Sequence, residues 1–300
     1  MQGRDKTMNK KYKAFAIISF VAALMGAGSG PIMAGTAPER MVYVPAGEFI
    51  MGNDGGNLSV SDELRPDNEM PARKVTLKAF YFDKYEVTNL EYKGYIDSLQ
   101  QKGIKAFSHY NAEGIPIPDR WARESYPVGE DTHPVVDVDW YMANKYCESK
   151  GKRLPTEEEW EKAARGTDGR VYPWGNEYKP EYSNNRGYWE ITLGKKGDFG
   201  VPMIIGSFKK DISPYGAFDV AGNAMEWTST PYRPYQGSIL TEPQHENEIY
   251  VLRGGAHNTL ISEFGRTTTR HYRGPTDDRS PHADWHTDMN IGFRCAKDAE

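Results

Sequence analysis

With 300 residues, 38% of them hydrophobic, the chain is long enough to bury a substantial core, which excludes disorder as the default and allows one large domain or two small ones. A net charge of -5, with Lys and Arg scattered among Asp and Glu, leaves no basic stripe to hold phosphates and argues against nucleic acid as a partner. Seven Trp, 19 Tyr and 11 Phe beside 30 Gly and 19 Pro point to a turn-rich fold whose core is filled by aromatics.

Residues 1–34 read as a targeting segment, with Met1 to Thr7 as an extension ahead of it. A basic stretch, Asn9 to Lys13, precedes an apolar run from Ala14 to Ala27, and small residues lead to Met33-Ala34. The run is shorter than the ~20 residues that cross a bilayer, and no later segment comes close, so no transmembrane segment is expected. Cleavage after Ala34 would give an exported protein, periplasmic or extracellular; an uncleaved anchor is the alternative. In that oxidising setting two cysteines ordinarily pair, and Cys147 with Cys295 is the only bridge available. Two buried free thiols are the other reading.

Met41 to Gly52 alternates and turns at Pro45 to Gly47, which predicts two short strands. Asn53 to Ala72, polar and rich in Asp, Glu and Gly, predicts a surface loop. Lys74 to Val87 predicts one buried strand, with Val75, Leu77, Ala79 and Tyr81 on one face and Phe80 and Phe82 on the other. Three helices are announced by their caps: the capping box Thr88 to Glu91, Asp139 ahead of Trp140, Ala143 and Cys147 with a stop at Gly151, and a second capping box from Thr156 to Glu159 whose helix ends at Gly166. Beyond Gly166 the chain predicts loops and short strands, with turns at Tyr172 to Gly175, Pro214 to Gly216 and Arg253 to Gly255. No linker or repeat divides the remainder, so residues 40–300 are expected to be one domain.

In order, Val44-Pro-Ala-Gly-Glu-Phe-Ile-Met-Gly52, Glu86-Val-Thr-Asn89, Pro134-Val-Val-Asp-Val-Asp-Trp140, Gly151-Lys-Arg-Leu-Pro-Thr-Glu-Glu-Glu-Trp160, Tyr172-Pro-Trp-Gly175, Gly216-Ala-Phe-Asp-Val-Ala-Gly-Asn-Ala-Met-Glu-Trp227, Arg253-Gly-Gly255 and Gly292-Phe-Arg-Cys295 resemble the motifs of the formylglycine-generating enzyme (sulfatase-modifying factor) family. The resemblance implies a mixed α+β fold with little regular secondary structure, of the C-type-lectin-like kind. It also implies that Cys147 and Cys295 are joined. The family's oxidase activity depends on a copper-binding cysteine pair after Arg-Gly-Gly, since thiolates are the soft ligands that hold Cu(I). At those two positions this chain carries Thr259 and Phe264. A formylglycine-generating oxidase of the usual mechanism is therefore disfavoured.

Two calcium sites are implied by the same resemblance: Asp219, Gly222, Ala224 and Glu226 as one, and Asn184, Asn185, Asp198 and Gly200 as the other. A turn held by Asx hydrogen bonds without an ion is the alternative for either. His257, His271, His282 and His286 lie in the segment that carries the family's active site, and the run His282, Asp284, His286, Asp288 places ligand-type residues at every second position. Imidazoles with carboxylates suit iron or copper, whereas a polar loop gives the same pattern without a metal. Arg266, Arg270, Arg273 and Arg279, interleaved with these histidines, would bind an anionic ligand or pair with Asp277 and Asp278. No phosphate-binding glycine loop is present, so no nucleotide cofactor is expected. Three readings follow: a binding or accessory module with a peptide, protein or small-molecule ligand in the C-terminal cleft; an oxidoreductase with a histidine-built metal, akin to the family's iron-dependent sulfoxide synthases or the exported members that mature siderophore peptides; and, last, a formylglycine-generating oxidase.

Overall fold

The computed structural model describes residues 38–54, 67–104, 106–107, 115–116, 118, 121, 125–197, 200–240, 248–259, 265–275 and 290–299. The targeting segment, Phe264 and the run from His282 to Asp288 lie outside these residues, as does Asp198. The alternation near the start makes two strands, β1 (Met41–Val44) and β2 (Gly47–Met51), separated by the predicted turn. They do not pair with each other. Strand β2 pairs antiparallel with β3 (Arg73–Leu77), and β1 pairs antiparallel with β4 (Phe80–Asp83).

The single strand predicted over Lys74 to Val87 is thus two, broken at Lys78-Ala79 because its halves belong to different sheets. Only the second half is a core strand: Phe80 and Phe82 are buried, while Val75, Leu77 and Tyr81 are partly exposed. The predicted surface loop also departs from expectation, because Glu69, in a 3-10 turn over Asp67–Glu69, is 1% exposed.

The capped helices form where their caps stand. Helix α1 (Asn89–Gln101) starts at the Thr88 box, in which Thr88 N donates to Glu91 Oε2 at 2.9 Å. Two minimal strands follow, β5 (Ala106–Phe107) and β6 (Ile115–Pro116). Helix α2 (Trp140–Ser149) is capped by Asp139 and α3 (Glu157–Arg165) by Thr156, with Gly166 at φ 76° ending the latter. The remaining strands are β7 (Met225–Pro231), β8 (Tyr250–Arg253), β9 (Arg270–Arg273), β10 (Ile291–Gly292) and β11 (Ala296–Asp298). They complete a sheet of order β1-β4-β11 and another of order β10-β7-β8-β9.

The two largest apolar clusters among the described residues lie against α3 and between α1 and α2. Val44, Phe80, Phe82 and Ala296 from the first sheet pack on Trp160, Ala163 and Ala164 of α3. Tyr92 and Ile96 of α1, Met142, Ala143 and Tyr146 of α2, Trp227 of β7 and Phe293 build the second. Each of the large side chains contributes roughly 1.5–3 kcal/mol by leaving water. Cys147 and Cys295 are bonded inside this second core, with Cα atoms 5.7 Å apart. The chain from Thr36 to Glu300 is one compact unit, and no helix among the described residues is long and apolar enough to cross a membrane.

Candidate functional site

Strand β8 ends in Arg253-Gly254-Gly255, and the chain leaves the sheet there. Gly254 has φ +77°, and a Cβ on it would stand 3.2 Å from Trp160 and 3.4 Å from Val220 O, so the turn needs glycine. The four residues that follow close on themselves. Thr259 Oγ1 accepts from Ala256 N at 2.8 Å and donates to Ala256 O at 2.9 Å. Thr259 N donates to Ala256 O at 3.0 Å, and Thr259 O accepts from Arg186 N at 3.0 Å. At one of the two positions where the resemblance places a copper-binding cysteine, a buried hydroxyl thus spends its hydrogen bonds on its own turn. His257, also buried, is tied to the neighbouring loop by its backbone N–H, which donates to Asn223 O at 3.2 Å.

Beneath this turn lies a layer of buried ions. Arg253, fully buried, donates to Glu161 and to Thr268 O, the latter at 2.8 Å, and lies 3.8 Å from Glu157. Arg165 reaches the same Glu161 at 3.1 Å, Arg270 is held by Glu157, and Arg266 meets Glu69 at 2.6 Å. Buried charges persist when every one is paired and hydrogen-bonded. Arg266 and Arg270 therefore serve the interior, where they engage Glu69 and Glu157; Asp277, Asp278 and Arg279 lie outside the described residues. His271 sits on β9 opposite Leu252, and burial, with Arg253 and Arg266 nearby, lowers its pKa to about 4, so the imidazole is neutral at pH 7.

A second buried polar cluster joins the loop after Gly216 to the C-terminal motif. Glu226 accepts from Arg294 Nη2 at 2.6 Å, from Arg294 Nε at 2.7 Å and from Trp160 Nε1 at 2.7 Å. Asp219 Oδ2 accepts from Gly206 N, and Gly222 O accepts from Ala224 N at 3.1 Å. Burial lifts Asp219 to about 7, and burial together with the Asp219 charge raises Glu86 well above the carboxylate range. These hydrogen bonds take up part of the acceptor capacity of Asp219 and Glu226, the side-chain members of the first calcium set. Of the other calcium set, Asn184 accepts from Trp189 Nε1 at 2.9 Å and donates to Asn223 Oδ1 at 2.9 Å. Asn185 donates to Pro180 O at 2.8 Å and accepts from Tyr188 N at 3.1 Å, while Gly200, at φ +72°, lies against the Trp189 indole. Among the described residues no group of three or more His, Cys, Asp or Glu side chains is arranged to hold a metal ion.

Glu69, Glu86 and Asp211 are among the buried acids that the sequence does not announce, as are Glu157 and Glu161 of α3. Glu86 stood inside a motif that flagged it, but nothing local marks a carboxylate whose cation arrives from ~200 residues away.

Residues 32–299 match the family described as sulfatase-modifying factor enzyme 1-like domain. The chain is 32% identical over 310 residues to the formylglycine-generating enzyme of Bos taurus, covering 90% of this chain and 78% of that one. It is 33% identical over 290 residues to inactive C-alpha-formylglycine-generating enzyme 2 of Mus musculus, with 86% of each covered. Relatives named as active and as inactive are thus similar to the same degree. Among solved structures, PvdO from Pseudomonas aeruginosa superposes with a TM-score of 0.61 at 26% identity, covering 86% of this chain and 94% of that one. CarF superposes at 0.60 with 18% identity over 88% and 99%, a likeness of fold alone. With the motifs, the fold and the match over residues 32–299 in agreement, the chain belongs to the sulfatase-modifying factor family.

Proposed function

We propose that this chain is an exported binding or accessory module of the sulfatase-modifying factor fold, which acts on a peptide, protein or small-molecule ligand without a thiolate-bound copper. The observation that carries the reading is the cysteine count: the chain has two, and they are bonded to each other. Thiolates are what hold Cu(I) while oxygen is activated, and the hard hydroxyl of Thr259 is no substitute for one. The turn that holds Thr259 supports the reading further, because its hydrogen bonds are complete without a metal.

The test is direct. The purified chain, loaded with Cu(I) under air, is incubated with a sulfatase peptide that carries the target cysteine, and the product is analysed by mass spectrometry. The expected result is unmodified cysteine, with the peptide retained or not retained by the protein as a separate readout. Conversion of the cysteine to an aldehyde over many turnovers would overturn the proposal.

A further inference from the structure

A cavity of about 320 Å³ opens between the N-terminus of α1, the C-terminus of α2 and the chain just before β1. It stands at the small end of the ~300–1,000 Å³ range of ligand pockets, which suits a metabolite rather than a polypeptide segment. It shares no residue with the Thr259 turn. Its walls carry charges of both signs, and most of these satisfy one another: Arg40 pairs with Glu91 at 2.8 Å and Lys152 with Asp83 at 2.6 Å. Glu86, at the buried end, is taken up by Asn223 Nδ2 at 2.9 Å and Ala224 N at 3.1 Å.

Glu39, Lys150 and Tyr146 are among the lining groups left over. Glu39 and Lys150 are exposed and form no ion pair among the described residues; the Lys150 ammonium instead stands 5.3 Å from the centroid of the Tyr146 ring. Tyr146 is 5% exposed, with its ring locked between Tyr92, Tyr95 and Phe293, and its hydroxyl has no hydrogen-bond partner among the described residues. Tyr146 lines the cavity together with Glu91, Asp83 and Arg40. A hydroxyl that lines a cavity and makes no bond to the protein is available to a ligand.

We propose that this cavity binds a free α-amino acid, with its carboxylate on Lys150 and the Tyr146 hydroxyl and its ammonium on Glu39. A bare anion meets Glu39, Asp83 and Glu91 at the same walls, and a bare amine meets Arg40, Lys150 and Lys152. Only a ligand with both charges, separated by a few bonds, answers both. The paired walls stay intact on binding, since the ligand uses only the groups they leave over.

Isothermal titration calorimetry of the purified chain with L-alanine, propionate and ethylamine tests the assignment. L-alanine is expected to bind saturably, and propionate and ethylamine each about tenfold or more weaker, as for loss of a charge-assisted contact. Lys150→Met and Glu39→Gln change exposed side chains, and Tyr146→Phe keeps the packed ring, so all three are expected to fold and to weaken L-alanine about tenfold. Should Tyr146→Phe fail to fold, the two surface variants decide. Absence of saturable heat with L-alanine overturns the proposal, as does equal binding by the variants. Propionate binding as well as L-alanine would make this an anion site, ethylamine doing so an amine site, and either defeats the zwitterion.

Discussion

His271 is the residue whose titration is most open to measurement. Its folded pKa of about 4 lies below the unfolded value near 6.5, so between these limits the unfolded chain binds the extra proton. The stability that neutral His271 permits is therefore intact above pH 6.5 and is lost as pH falls towards 4. Urea midpoints of wild type and His271→Gln, taken at pH 7.5 and pH 4.5, should show the wild type losing about 1–2 kcal/mol more than the variant across that interval. Parallel losses would mean that the imidazole titrates in the fold as it does in water. Thr259 has the opposite character. Its hydroxyl does not titrate and is committed to its own turn, accepting from Ala256 N and donating to Ala256 O.

Among the elements, α3 has the least ordinary composition, since Glu157, Glu161, Lys162 and Arg165 are buried on it beside Trp160. A helix with this pattern reads from sequence as a solvated surface helix, and its cap was legible because a capping box is contained in four residues. The burial was not legible, because Arg253 and Arg270 reach it from about 100 residues downstream. The break at Lys78-Ala79 escaped for a related reason: both halves of that stretch alternate correctly, and only the choice of partner strand separates them. The Thr259 position was legible because it follows a motif at fixed spacing. The pocket beside Tyr146 was not, since its walls come from three distant segments. Glu161→Gln tests the buried layer, since it would leave the Arg253 and Arg165 charges short of a carboxylate. A destabilisation of roughly 3–5 kcal/mol in chemical denaturation is expected, against a far smaller loss for Lys74→Met at the exposed pair with Glu48. Equal small losses at both sites would show that water reaches Glu161.

At the scale of the whole molecule, the bond between Cys147 and Cys295 closes a loop of 148 residues' separation. Restricting so long a loop in the unfolded chain is worth roughly 2–5 kcal/mol, so Cys147→Ser with Cys295→Ser is expected to lower stability by that amount. A melting temperature that does not change on mutation or under reductant would refute a stabilising role for the bond. The same C-terminal stretch does more than supply a sulfur. Within residues 291–298, β10 adds to β7, Arg294 neutralises Glu226, Cys295 finds its partner and β11 takes the open side of β4. Both larger sheets, and one of the buried charge clusters, are thus unfinished until the last part of the chain is available. While residues 291–298 are withheld, as during synthesis on the ribosome, β4 and β7 each lack one neighbouring strand, and Glu226 lacks its cation.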